Sequence, residues 1–232
     1  MQTDHDLALH RYQASHRPNL TLDDGIDWHF HGQYRKTLIT EKNLPNYLLL
    51  PEVNKLLDAM SGEHFARAEF IWRTGARISE TMAIKKQALT FYEERGEQRA
   101  IVTLRTLKQR GKPKATDIDR TRDIPIRDHN YALTLKRRID TMPGRSRETP
   151  LFIPCSRQAF DNAIRSTADK LNLMPTSAHV LRHSFACNLV LHRRDVFLIQ
   201  RLMGHKRIES TLIYMQLLDI DMAFLLDGVK FR

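Results

Sequence analysis

Cysteine is nearly missing from this chain: Cys155 and Cys187 are its only two. A disulfide framework is therefore not what holds it together, and neither thiol falls in a metal-ligand spacing. Cys187 lies in an apolar helical pattern, where a free thiol packs as a small hydrophobe. Long apolar runs are missing too. No stretch approaches the roughly 20 residues that a membrane-spanning helix needs, and no basic amphipathic helix stands out for a membrane surface. The opening MQTDHDLALH is polar and acidic, without the apolar core of a signal peptide. A cytoplasmic location is the expectation. Clustered acids are scarce as well: Asp117 and Asp119 have no third carboxylate at useful spacing, which argues against a metal-dependent nuclease. His29 and His31 likewise have no Cys or carboxylate set to complete a metal site. There is no internal repeat and no low-complexity tract.

What is present is positive charge. The chain carries 37 Lys and Arg against 27 Asp and Glu, a formal +10 over 232 residues. Such a surplus fits a polyanionic partner. With 41% apolar residues the chain can bury one good-sized core or two small ones.

Residues 1–46 differ from the rest, with weak periodicity and the aromatic–basic piece DWHFHGQYRK. Two readings fit: an arm that presents Trp28, Phe30, Tyr34, Arg35 and Lys36 to DNA, or an irregular extension packed on the body. Residues 47–232 read as the main domain. PEVNKLLDAM opens with Pro51 and sets Val53, Leu56, Leu57 and Met60 on one helical face. HFARAEFIWRTG continues as a second helix stopped by Gly75, and RISETMAIKK starts a third, so Arg77 sits at the junction. RAIVTLRTL and RTRDIPIRD read as paired strands joined by a long basic connection holding Lys108, Lys112 and Lys114. Helical spacing returns in HNYALTLKRRID and in SRQAFDNAIRSTADKLNL, and Pro175 breaks the chain before the last third. The tail LLDIDMAFLLDGVKF reads as a compact apolar helix. The fold class is mainly α with a small antiparallel β-hairpin or sheet.

The last third concentrates chemistry. HVLRHSFACNLV places His179, Arg182 and His183 at the head of an apolar helix, and the i, i+3 spacing puts His179 and Arg182 on one face. RLMGHKRIESTLIYMQ sets Gly204-His205 in a turn and Tyr214 on the next helical stretch. Together with TGARISE, these motifs resemble, in order and near the usual spacing, the catalytic domain of the tyrosine recombinase (phage integrase) family. The resemblance runs from about Leu50 to Tyr214.

That resemblance implies a site-specific DNA recombinase that cuts and rejoins strands through a 3′-phosphotyrosyl intermediate. Tyr214 matches the nucleophile, and Arg77 and Arg182 match the pair that clamps the phosphate, a task suited to planar, permanently charged guanidinium forks. His179 matches a position that assists proton removal or bonds a phosphate oxygen, and His205 one that donates to the other non-bridging oxygen. Glu80 falls where the family has an acid that orients the site, and equally where any acid favours a helix start. His183 reads as a packing residue. The family's general acid is a hairpin lysine, best matched here by Lys108, with Lys112 and Lys114 nearer the tip. No metal or other cofactor is implied. The implied partners are double-stranded DNA, three further copies of the chain and an accessory DNA-bending protein. The setting is the bacterial cytoplasm, with exchange passing through a Holliday junction. A segment of 46 residues is too short for the family's usual DNA-clamping domain. Competing readings are a topoisomerase with the same site and a DNA-binding regulator that has lost the chemistry.

Overall fold

The computed structural model describes residues 26–105, 121–142 and 146–221. Lys108, Lys112 and Lys114, and the apolar tail from Met222 to Leu226, lie outside the described residues. The elements in chain order are α1 (Trp28–Glu41), α2 (Leu50–Asp58), α3 (Gly62–Thr74), α4 (Ile78–Ala83), β1 (Leu89–Glu94), β2 (Glu97–Arg105), β3 (Thr121–Ile126), α5 (His129–Thr141), α6 (Arg157–Lys170), α7 (Ala178–Leu191), α8 (Val196–Met203) and α9 (Glu209–Met215), with 3₁₀ turns at Lys86–Ala88 and Gln216–Asp221.

Two apolar cores share α3 as their common wall. Ala68, Ile71 and Trp72 join the larger core, built from α1, α2 and α6 to α9, with Leu181, Ala186 and Val190 at its centre. Phe70 faces the smaller one, made by the sheet, α5 and the Leu151-Phe152 segment. This division follows from the helix period, which sends residues one and two positions apart to different faces. Everything that emerges from the C-terminal end of α3 therefore comes out on the seam between the cores.

The sheet has three antiparallel strands in the order β1-β2-β3, one more than the expected pair. Register sets Val102 against Ile124 and Leu104 against Arg122. Alternation buries Ala100, Val102 and Leu104 of β2, and Arg122, Ile124 and Ile126 of β3. Pro125 is tolerated because β3 is an edge strand and its side chain faces outward.

The stretch holding DWHFHGQYRK is a helix, not an irregular extension. Asp27 caps α1 by accepting the Phe30 N–H at 2.9 Å. Trp28 and Phe30 are buried, and Arg35 forms a bidentate ion pair with Glu52 of α2. These groups pack α1 on the body and are not presented outward as an arm would present them. His31 is buried while His29 is exposed and bonds Gln33, so the two imidazoles leave the helix on different sides. Among the described residues, no helix is long and apolar enough to cross a membrane.

Candidate active site

Two glycine turns build the site. Gly75 ends α3 in the left-handed conformation at φ 62°, and an added Cβ would lie 2.5 Å from the Phe185 ring. Gly204 ends α8 the same way at φ 62°, with Arg122 in the space a Cβ would take. Only glycine fits both positions, by torsion and by space. The first turn delivers Arg77 to the start of α4; the second delivers His205.

The two arginines tie these turns together. Arg182, on α7 and only 3% exposed, donates to the carbonyls of Gly75 and Met203, one at each turn. Arg77 donates to the Gly204 carbonyl at 3.1 Å and to Glu80 Oε1 at 2.9 Å. Both hydrogen bonds of Arg182 go to backbone carbonyls, not to a carboxylate. Burial, then the neighbouring guanidinium groups of Arg77 and Arg122, pull the Arg182 pKa down to about 9, and it remains a cation at neutral pH.

Glu80 joins a helix start to two arginines. At the third position of α4 it accepts the Arg77 backbone N–H at 2.8 Å, as a helix-start acid should. It also receives a bidentate fork from Arg122, at 2.9 and 2.6 Å. Burial pushes its carboxyl up, but the bonds and charges of Arg122 and then Arg77 outweigh that and hold it below the usual range. Arg122 also donates through Nε to the Leu202 carbonyl at 2.7 Å. One guanidinium thus joins β3, α4 and the end of α8. Its signal was legible: in TRDIPI, strict alternation puts Arg122 on the same inward face as Ile124 and Ile126, and an inward arginine is informative.

On the other side of the site is a cluster of rings. Tyr214 on α9 is 2% exposed, and its hydroxyl lies 2.6 Å from His183 Nδ1. His183 is therefore more than the packing residue its position suggested. Its ring meets that of His179 edge-on at 4.2 Å between centroids, as i, i+4 spacing allows. The His205 ring stacks against Tyr214 at 6.4 Å, and its Nδ1 lies 2.9 Å from the hydroxyl of fully buried Thr211, three residues before Tyr214 on α9. With Nδ1 accepting from Thr211, a neutral His205 carries its proton on Nε2 and is a donor there. All three imidazoles are held below their ordinary pKa. Burial is the first cause in each case, reinforced by positive neighbours: Arg182 and Arg77 for His179, His179 and Arg182 for His183 (to about 3), and Arg182 and Arg77 for His205 (to about 4). Burial likewise pushes the Tyr214 phenol up.

Arg77, Glu80, His179, Arg182, His205 and Tyr214 are thus brought to one seam. Of the expected set, Lys108 alone falls outside the described residues, on the connection between β2 and β3. His183, Arg122 and Thr211 were not anticipated. A tyrosine among buried guanidinium groups and neutral imidazole donors is equipped to attack a phosphodiester and to stabilise charge on its oxygens.

A fold of this kind with such a site belongs to the enzymes that break and rejoin phosphodiesters through tyrosine. Residues 46–219 match the phage integrase family, and the chain belongs to that family, the tyrosine recombinases. It is 28% identical, over 210 residues, to a probable site-specific recombinase in the afa region of Escherichia coli, covering 88% of this chain and 83% of that one. It is 30% identical over 208 residues to tyrosine recombinase XerD of Brucella abortus, covering 77% of this chain but only 61% of the relative. Among solved structures, XerA recombinase superposes with a TM-score of 0.59 at 18% identity, covering 98% of this chain and 92% of that one. XerH recombinase bound to its difH substrate before cleavage gives 0.57 at 22% identity, covering 79% and 54%.

Proposed function

We propose that this chain recombines double-stranded DNA at specific sites, with Tyr214 attacking the scissile phosphate to form a 3′-phosphotyrosyl ester. The observation that carries this reading is the Tyr214 hydroxyl set at one seam with Arg77, Arg182, His179 and His205. Arg77 and Arg182 hold the phosphoryl oxygens, and His205 Nε2 and exposed His179 donate to them as charge builds. Glu80 orients Arg77. A lysine of the β2–β3 connection, Lys108 as first choice, gives a proton to the departing 5′-oxygen. The ester stores the energy of the broken bond, so rejoining needs no nucleotide. Residues 47–232 act as the catalytic unit and residues 1–46 as an N-terminal extension. Four copies pair two sites and exchange strands through a Holliday junction, with a DNA-bending protein as an accessory partner.

A nicked suicide substrate tests this directly. The chain is incubated with DNA carrying a candidate site, or with genomic fragments, in EDTA, then denatured. A covalent protein–DNA band is expected, and it is expected to vanish in Tyr214→Phe. Tight DNA binding without a band from any sequence would instead identify a regulator that has lost the chemistry.

A further inference from the structure

The attacking phenol must lose its proton as the bond to phosphorus forms. A candidate acceptor has first to be within reach, about 2.6–3.2 Å between heavy atoms. His183 Nδ1, at 2.6 Å from the Tyr214 hydroxyl, meets that condition. His179 is one helical turn away on α7, packs edge-on against the His183 ring and is exposed. The two histidines therefore occupy different layers: His179 is exposed to solvent, and His183 is partly buried against the Tyr214 hydroxyl.

We propose that His183, and not His179, takes the phenolic proton of Tyr214 during strand cleavage and returns it on rejoining. This rests on Tyr214 being the nucleophile. In cleavage the Tyr214 oxygen bonds to phosphorus as the bond from phosphorus to the 5′-oxygen breaks. The phenolic proton passes to His183 Nδ1, giving an imidazolium, and the 5′-oxygen takes a proton from a lysine ammonium of the β2–β3 connection. In rejoining, the 5′-hydroxyl gives its proton back to the lysine and attacks phosphorus. The tyrosyl–phosphorus bond breaks, and the phenolate recovers its proton from Nδ1.

The surroundings explain why this transfer awaits DNA. The groups facing His183 are His179 and Arg182 on its own helix, His205 from the turn after α8, and Tyr214 on α9. Buried among positive and potentially positive neighbours, the ring is a neutral acceptor but a weak base. A phosphodiester bound at Arg182 and His205 brings a negative charge that offsets them and strengthens the base only when substrate is in place. His179, on the exposed side, is left to bond a phosphate oxygen.

The test follows covalent adduct formation in single turnovers on the suicide substrate, using the full chain. His183→Asn keeps an oxygen acceptor near the place of Nδ1 but cannot hold the proton. Cleavage is expected to slow by about 10²-fold or more, the usual contribution of a general base, with DNA binding unchanged. Replacing Tyr214 by a fluorinated tyrosine of lower phenol pKa is then expected to restore cleavage by H183N at pH values where the fluorophenol ionises. The same replacement should leave a His179→Asn variant slow. The proposal is overturned if H183N cleaves as fast as the parent, if fluorination fails to rescue it, or if fluorination rescues H179N instead. Absence of an adduct with the parent chain would count against the nucleophile itself, a separate failure.

Discussion

Removing Glu80 should cost more than any other single carboxylate in the described part of the chain. Its side chain is 1% exposed and that of its partner Arg122 is 5%. Glu80→Ala strands the Arg122 guanidinium in a buried place and also frees Arg77, which Glu80 holds through both backbone and side chain. Breaking one partner of a buried pair costs about 3–5 kcal/mol. For a chain of this size each kcal/mol lowers the melting temperature by roughly 2–4 °C, so a fall of about 6–20 °C is expected. Thermal or urea unfolding measures it. The double variant Glu80→Leu with Arg122→Met should recover most of that loss, because an apolar pair needs no compensation. DNA cleavage should not recover, since Arg77 still lacks its orienting acid. Acid adds a further check. The Glu80 carboxyl is held below its unfolded value of about 4.3. Its contribution is therefore complete above that value and lost as pH falls through the lower, folded one. The gap between the parent and E80Q should accordingly be widest at neutral pH and close at strongly acid pH. An E80A variant within about 1 kcal/mol of the parent, where ordinary surface substitutions fall, would refute the reasoning.

Gly75→Ala should destabilise more than Gly62→Ala. Both have φ near +60°, but a Cβ at Gly62 meets nothing within 4 Å while one at Gly75 meets Phe185 at 2.5 Å. The difference in unfolding free energy, about 1–3 kcal/mol, isolates the steric part. Thr211→Val keeps the shape of a fully buried side chain but leaves His205 Nδ1 without its hydroxyl. Cleavage should fall by roughly tenfold, the worth of one lost hydrogen bond of about 1–1.5 kcal/mol, while melting shifts by only a few degrees; an unchanged rate would show that Thr211 does not orient the ring. DNA affinity should drop on a straight log–log line with salt, by at least about tenfold between 50 and 200 mM if as few as two phosphates are contacted. Affinity indifferent to salt would mean that the +10 surplus is not the binding face.

Legibility in the sequence followed physical strength. Gly75 and Gly204 could be read because a left-handed helix end all but demands glycine, and Arg77 and His205 are fixed by being next to them. His179 and Arg182 could be read from helical spacing. α1 was not, because its buried positions, Trp28, Phe30, His31 and Leu38, mix polar with apolar and give no clean stripe. β1 escaped for a related reason: LTFYEE buries Leu89, exposes Thr90 and Glu93 and half-buries Phe91, Tyr92 and Glu94, so alternation is blurred. Tertiary contacts decided both. His183 could not be singled out because its role depends on Tyr214, 31 residues away in sequence, and helical spacing on α7 alone makes it one more inward residue.

The charge inventory of the seam connects these details to the chemistry. Three guanidinium groups, Arg77, Arg122 and Arg182, share one carboxylate, Glu80, among the described residues of the network. Arg122 and Glu80 satisfy each other, which leaves Arg182 hydrogen-bonded to carbonyls alone, with Glu80 acting on it only through space, and Arg77 with a share of Glu80. A buried excess of positive charge is costly and is relieved by an anion. The same excess, added to burial, keeps His179, His183 and His205 neutral, so that before DNA binds they are hydrogen-bonding partners and not further cations. The seam thus carries a positive excess that an anion would relieve.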